Sequence, residues 1–462
     1  MHFSKSRLLN LTTSVGLGLA IVGTSVSAQS LSDALVSTYQ NNPDLALARS
    51  NLAATDEGVA SARSGLLPTV SSSATRTDSE NYDNDVDSDT WTVSATASQT
   101  LYAGLTNRLN VEAAVLEVLS ARQDLLDAEQ GVLLAGIQAF MDVRRDIELV
   151  NLRESNVRVL QEQLRASNDR FEVGEVTRTD VAQTEARLAE AQSDLETARG
   201  NLNVARETYR AVVGVYPTSP RSPQNVPNLP ATVGAAEAIA IDLHPRILAA
   251  QFDLSAAEVN LASARRSLQP TITGSVSVQR SNATDPNRSD DSASLTVTGS
   301  VPIYQGGLLN SNIREAVAGL NSAKSNLQAE AVETRQSVRS AYANWLAARA
   351  SIVASREAVR ASQIAFDGVS EEASLGARTT LDVLDAEQEL RDAQTSLITA
   401  VRNEVVARYS VVSEMGQLTA EKLELDVEVY DPEQNYQQVN PNTALGERRS
   451  RLLDTLLERS GN

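Results

Sequence analysis

The sequence predicts a mainly α-helical protein that adds four membrane β-strands and consists of two similar halves. Three observations support this prediction: long proline-free stretches with heptad-like apolar spacing, short segments that alternate apolar residues with Ser or Thr, and a self-match at a shift of 202 positions. Of the 462 residues, 42% are hydrophobic but only 4% are aromatic. Thin, Ala-rich packing is therefore expected instead of a thick core filled with aromatic rings.

The composition excludes several classes of function. The chain has no Cys, so disulfides, thiolate metal sites and cysteine nucleophiles are impossible. It has two His, and only His244 lies outside the leader segment described next. The net charge of −19 argues against a nucleic-acid partner, which needs a cationic face. No cofactor and no metal site are expected.

Residues 1–28 have the pattern of a bacterial secretory signal peptide. Lys5 and Arg7 precede an apolar stretch, and small residues lead up to a cleavage site between Ala28 and Gln29. The apolar stretch is too short for a membrane anchor, and the alternative of a buried N-terminal helix is disfavoured because nothing amphipathic follows the basic start. We therefore expect the mature chain to be exported.

The self-match divides the chain into two repeats. The shift aligns Gly and Pro residues that mark turns and helix ends, which indicates the same order of elements twice. The aligned pairs include Pro43 with Pro245, Pro68 with Pro270, Gly104 with Gly306, Gly174 with Gly376, and Gly214 with Gly416. The predicted parts are a first repeat at 29–214, a proline-rich linker in an equatorial region at 215–234, a second repeat at 235–416, and a C-terminal equatorial segment with a polar tail at 417–462.

Each repeat begins with a helical stretch and continues into a β-hairpin, predicted at 69–102 and 271–304. The helical stretches, 31–66 and 235–268, are interrupted at Asn42-Pro43 and His244-Pro245, where proline suits the first turn of a new helix. In the hairpins, segments of about ten residues place apolar side chains on one face and Ser or Thr on the other, as in membrane strands with lipid outside and water inside. A half-buried sheet of a soluble protein has the same alternation and stays an alternative on this evidence.

Two long helical hairpins dominate the architecture. No proline occurs from Ala103 to Tyr216 or from Ile303 to Asp431, and Leu residues recur at coiled-coil spacing. The first hairpin is predicted at 105–171 and 179–213 with its tip near Gly174. The second is predicted at 308–369 and 380–412 with its tip near Gly376.

Four strands cannot close a barrel, and an open strand edge in lipid leaves backbone groups without hydrogen bonds. Three chains would supply twelve strands, and three copies of a twofold repeat would supply a pseudo-sixfold ring of helical hairpins. The predicted fold is therefore a trimeric 12-stranded β-barrel that is continued by a long α-helical barrel.

Three motifs resemble the TolC-like family of outer-membrane channels in multidrug efflux and type I secretion. Residues 301–307, VPIYQGG, resemble the strand-to-helix junction of that family, and residues 173–181 and 375–386 resemble its two periplasmic hairpin tips. The resemblance covers about residues 30–425. It implies a homotrimer in the bacterial outer membrane that contacts outer-membrane lipid and extends far into the periplasm.

The resemblance also implies partners and functional residues. The partners would be a periplasmic adaptor protein and an inner-membrane transporter of the RND or ABC type. Contact with the adaptor is expected at the two tips, through Val173, Gly174, Leu375 and Gly376. Asp382 and Asp385 match an acidic constriction of the family, and residues three apart share a helix face, so three chains would present rings of carboxylates to passing ions.

The resemblance assigns a tip latch to Arg378, with Thr179 and Asp180 as its partners. A charge-assisted Arg–Asp contact of about 1–3 kcal/mol is weak enough for an adaptor to displace. The family also uses a tyrosine in its latch where this chain has Ala373, so closure is expected to be weaker or differently arranged.

A passive export duct is the leading hypothesis for the function. The first alternative is a secreted structural or adhesive coiled-coil protein, which would account for the helices and the acidity but not for strands suited to lipid beside a tip motif. The second is a helical enzyme, for which the sequence offers no phosphate-binding glycine loop, no metal-ligand spacing and almost no histidine. No enzymatic activity is therefore expected.

Overall fold

The computed structural model describes residues 29–81, 86–223, 226–282 and 289–439. The predicted signal segment, including Ala28, and residues 440–462 of the predicted tail lie outside these ranges. Gln29, the residue after the predicted cleavage site, contacts the linker: its carbonyl accepts a hydrogen bond from the backbone N–H of Arg221 at 3.1 Å.

The described chain contains the same series of elements twice: two helices, two strands, and two helices. The elements are α1 Leu31–Asn41, α2 Pro43–Ser64, β1 Thr69–Asn81, β2 Val86–Ala103, α3 Thr106–Glu172, α4 Arg178–Val213, α5 Val233–Leu243, α6 Pro245–Arg266, β3 Thr271–Asn282, β4 Ser289–Ser300, α7 Leu308–Ser374, α8 Thr380–Glu414 and α9 Glu433–Val439. The helices α3 and α7 have 67 residues each, which corresponds to about 100 Å at ~1.5 Å per residue.

The break between the first two helices of each half is a shared capping device. The Asn42 side chain accepts hydrogen bonds from the backbone N–H groups of Asp44 and Leu45 at the start of α2. His244 does the same for α6, where its Nδ1 accepts from the N–H of Arg246 at 3.2 Å. Burial lowers the pKa of His244, in keeping with an imidazole whose Nδ1 is an acceptor. His244 is therefore a helix cap, as its position before proline predicts.

The four strands form one antiparallel sheet in the order β1-β2-β3-β4, and each of β1 and β4 has an edge without a partner strand in the described chain. The register separates two faces. One carries Ser and Thr, where hydroxyl pairs such as Ser73–Ser94 and Ser277–Ser294 lie 2.9 and 2.8 Å apart. The other carries mainly apolar residues, including Val93, Val276, Val278, Leu295 and Val297.

Two boundaries differ from the sequence prediction by more than two residues. Strand β4 ends at Ser300 instead of residue 304, because Pro302 has no N–H to donate to a ladder. Helix α7 continues to Ser374, five residues beyond its predicted end, since nothing before Gly376 stops a helix. The sequence prediction names no element in the C-terminal segment, which contains the short helix α9.

The main core lies midway along the long helices. It is built from α1, α2, the middle of α3, the end of α4, α5, the middle of α7, the end of α8 and the segment after α8, with Phe140, Tyr209 and Leu418 among its fully buried side chains. Toward the tips, a second core contains only Val157, Leu160, Ala191, Leu195 and Leu384. Only five of the 67 residues of α7 are buried. None of the helices in the described ranges is both long and apolar enough to cross a membrane.

Candidate functional site: the two helical tips

The two helical hairpins reverse direction through turns of the same geometry. Gly174 and Gly376 have φ values of +79° and +76°, which residues with a Cβ adopt at a cost. In each turn the glycine N–H bonds to a carbonyl three residues back, Phe171 in one case and Ala373 in the other, both at 3.0 Å. The glycines aligned by the self-match therefore serve the same purpose, which is to end the long helix.

The helices that leave the turns begin with matching capping boxes. Thr177 and Asp180 cap α4, and Thr379 and Asp382 cap α8. The Asp382 carboxylate accepts hydrogen bonds from the backbone N–H and the hydroxyl of Thr379, both at 2.9 Å. These bonds, aided by the nearby Arg378 guanidinium, hold the pKa of Asp382 below its usual value. Asp382 is thus an ionised helix cap in one chain, and it stays a candidate for the acidic constriction.

The predicted latch residues lie near one another but are not joined within one chain. Arg378 donates from Nε to Glu372 of its own hairpin at 2.8 Å, and the Asp180 carboxylate is used by its cap with Thr177. Arg378 and Asp180 line the same groove between the two tips, together with Ala373, and Thr179 is exposed on the first turn of α4. The expected contact of Arg378 with Thr179 and Asp180 is therefore absent within one chain, because each charged group finds a partner in its own turn. A contact between chains stays a prediction.

Asp385 is held by a residue that sequence reasoning missed. Arg187 of α4 donates from Nη2 to the Asp385 carboxylate at 2.9 Å, which joins the first hairpin to the second. The two residues are 198 positions apart, and Arg187 resembles the other arginines of α4 in its surroundings along the chain. No sequence signal marks this pair, because only the packing of α4 beside α8 brings it together.

A buried carboxylate lies one half-turn further along α8. Glu387 is only 2% exposed and accepts a hydrogen bond from Gln163 of α3 at 2.9 Å, with the Arg391 guanidinium 3.5 Å away. Burial raises the pKa of Glu387, and the opposing effects of Arg391 and Gln163 do not cancel the rise. The self-match aligns Glu387 with Glu185, but Glu185 is exposed. Sequence identity between the repeats therefore conceals a difference in environment.

The residues expected to meet an adaptor stand at the extreme ends of the turns. Val173 and Leu375, beside Gly174 and Gly376, are 70% and 78% exposed. Among the described residues, no group of three or more His, Asp or Glu side chains could hold a metal ion.

Comparison with known proteins agrees with these features. The profile of the family described as "Outer membrane efflux protein" matches residues 34–215 and 238–417. The chain is 36% identical to the outer membrane efflux protein BepC of Brucella suis, over 91% of this chain and 93% of BepC. It is 28% identical to the outer membrane protein TolC of Escherichia coli, over 88% of this chain and 86% of TolC.

Solved structures share the fold. The CmeC outer membrane channel of Campylobacter jejuni superposes with a TM-score of 0.75 at 15% identity, over 96% of this chain and 99% of CmeC. The matched family is that of outer membrane efflux proteins, and the fold is shared with a solved outer membrane channel. The two-segment profile match and the similarity to BepC, taken with the helical tips, show that the chain belongs to the outer membrane efflux protein family.

Proposed function

We propose that the protein is the outer-membrane exit duct of a tripartite efflux system and conducts small solutes passively from the periplasm to the exterior. The proposal rests on the relation between two parts of the chain. The tip turns expose apolar side chains, and the sheet has one Ser/Thr face and one apolar face. About 100 Å of helix separates the turns from the sheet. Such a molecule has a membrane part, a long spacer and a docking end.

The duct is proposed to be a homotrimer. Within the described part of one chain, β1 and β4 each have an edge without a partner strand, and α7 has only five buried residues along its length. Exposed apolar side chains such as Val332, Val353 and Ile364 line this helix. Three copies would join each β4 to the next β1 and give α7 a neighbouring helix, which completes a 12-stranded barrel and a helical barrel.

The sheet faces support an outer-membrane location. With the Ser/Thr face turned inward, the twelve strands would line a water-filled passage, and the apolar face would meet lipid. The helices would then extend into the periplasm. The polar inner face selects little among solutes, so the substrate is set by the transporter.

The proposed partners are a periplasmic adaptor and an inner-membrane transporter of the RND or ABC type. The adaptor would meet Val173, Gly174, Leu375 and Gly376, where exposed apolar side chains lose water-accessible surface on contact. The name of BepC, an outer membrane efflux protein, favours efflux for this chain. Type I secretion of unfolded protein is the second candidate, because the resemblance of the tip and junction motifs to TolC-like channels implies either system.

At the periplasmic mouth, Asp382 and Asp385 are proposed to give six carboxylates around the axis of the trimer. Rings of this kind attract cations and resist anions. Arg378, Thr179 and Asp180 are proposed as a latch between neighbouring chains, since Arg378 and Asp180 already line one groove.

Reconstitution into planar bilayers tests the proposal. The purified protein is expected to form cation-selective channels, and D382N/D385N is expected to lower the cation selectivity and to weaken block by multivalent cations. The matched control is E185Q, which removes one exposed carboxylate from the first hairpin. A soluble monomer without conductance would contradict the proposed duct and favour the alternative of a secreted structural coiled-coil protein. Unchanged cation selectivity in D382N/D385N would contradict only the assignment of Asp382 and Asp385 to an acidic constriction, and not the duct.

A further inference from the structure

Two arginines interrupt the apolar face of the sheet near the hairpin ends. The register pairs Arg76 of β1 with Trp91 and Arg280 of β3 with Val93, so both arginines point to the face that carries Val93 and Val278. They lie on the two strands that flank β2, displaced by two residues along it. With strands about 4.8 Å apart and about 3.4 Å per residue, their Cα atoms are about 12 Å from each other, with Trp91 between them.

Each guanidinium is held by an aspartate of the adjacent strand. Arg76 donates from Nε and Nη2 to Asp89 at 3.1 and 2.8 Å, and Arg280 donates in the same way to Asp291 at 2.8 and 2.9 Å. The arginine side chains stay 69% and 62% exposed. A guanidinium has five N–H donors, so each arginine keeps donors on Nη1 for a further anion. Exposed ion pairs add little stability, and orientation of the guanidinium is the clearer consequence of this arrangement.

An apolar groove leads from Arg280 along the same face. Val93, Ala95, Val278 and Ala293 line it, and Arg280 and Asp291 lie at its end. The small side chains there leave a shallow depression, which Ser94, Gln279 and Ser292 also border. Trp91 is partly exposed beside it, and tryptophan prefers the level of lipid headgroups. Charged residues on a lipid-facing strand are also tolerated best at that level.

We propose that Arg76 and Arg280, with Trp91 between them, form a binding site for a phosphorylated membrane lipid. The inference rests on the proposed function, because it requires this sheet to span the membrane. The two guanidinium groups bind phosphate oxygens of the headgroup, and an acyl chain lies in the groove below Arg280. Free guanidinium donors at the end of an apolar depression favour a lipid as the occupant, because an acyl chain and a phosphate are joined in one molecule.

Native mass spectrometry of the detergent-purified protein tests the site with three probes: bis-phosphorylated lipid A, dephosphorylated lipid A, and inorganic phosphate. The unaltered protein is expected to bind the phosphorylated lipid at least about tenfold more tightly than the dephosphorylated one. R76Q/R280Q is expected to lose this preference. The control R360Q, which removes an exposed, ion-paired arginine of α7, is expected to keep it.

A second variant separates loss of the ligand site from disturbance of the sheet. D89N/D291N breaks the same ion pairs but leaves both guanidinium groups, so it is expected to bind the phosphorylated lipid at least as tightly as the unaltered protein. Equal binding of both lipids, an unchanged preference in R76Q/R280Q, loss of binding in D89N/D291N, or full competition by inorganic phosphate would each overturn the proposal. Channel conductance of R76Q/R280Q is scored separately: if the variant conducts, the duct stands whatever the lipid result.

Discussion

The ion pair between Arg187 and Asp385 links α4 to α8 near the tips, beside the small second core. Asp385 was expected to contribute only to a ring of carboxylates, yet in one chain its charge is balanced by an arginine of the other hairpin. Both side chains are partly exposed, so the pair contributes about 0.2–1 kcal/mol. A contribution of this size is small enough for the pair to break when the proposed duct opens, and large enough to bias the duct toward a closed state.

R187Q is therefore expected to raise the open fraction of single channels about 1.4- to fivefold for each pair lost, which corresponds to about 0.2–1 kcal/mol. D385N is expected to do the same, and R187Q/D385N is expected to add nothing to either single change because both remove one interaction. R165Q is the control, since Arg165 pairs with Glu162 within α3. Additive effects in the double variant would show that the two side chains do not act as a pair.

Glu387 predicts a pH dependence of the contact between α3 and α8. Its folded pKa lies above the ordinary value of 4.5, so the folded chain binds more protons than the unfolded chain in that range. The contact is expected to weaken as pH rises from 4.5 through the folded pKa, and to change no further above it. Hydrogen exchange of the α8 amides, corrected for intrinsic rates, measures this dependence.

E387Q is expected to abolish the pH dependence, because the amide does not titrate and can still accept the bond from Gln163. E185Q, its exposed counterpart in the first repeat, is expected to retain it. If the pH dependence of exchange survives in E387Q, a group other than Glu387 causes it.

At the scale of elements, the helix breaks at proline and the hairpin tips at glycine were predictable from the sequence. Proline after Asn42 and His244 marked two helix starts, and Gly174 and Gly376 marked two helix ends, because each of these residues acts through its own backbone geometry. Contacts between elements were not predictable in the same way. Arg187 with Asp385 and Gln163 with Glu387 join residues about 200 positions apart, and no local pattern determines which helices pack side by side.

The glycines at two helix ends predict unequal effects of substitution. Gly376 has positive φ but open space around it, so Gly376→Ala is expected to cost about 1 kcal/mol of stability. Gly416 also has positive φ, and a Cβ there would lie 2.8 Å from the Cα of His244. Gly416→Ala is therefore expected to cost at least about 2 kcal/mol, because the backbone at His244, the cap of α6, must shift. The denaturation midpoints of the two variants compare them; equal midpoints would contradict the role given to the His244 contact.

At the scale of the whole molecule, composition predicted the kind of packing. Of the 17 aromatic residues, six are buried in the core midway along the helices, while the tips rely on a small second core of Val, Leu and Ala. The trimeric arrangement is inferred from two features of the described residues. Two strand edges have no partner strand, and α7 is long and largely exposed. The same unpaired features would be a liability for a monomer, since open strand edges pair with whatever strand they meet.

Single-particle imaging of the detergent-purified protein tests the trimeric duct most directly. We predict three chains around one axis, with β4 of each chain antiparallel to β1 of the next and a continuous passage from the sheet to the tips. A particle with one chain, or with β1 and β4 unpaired between neighbouring copies, would contradict it.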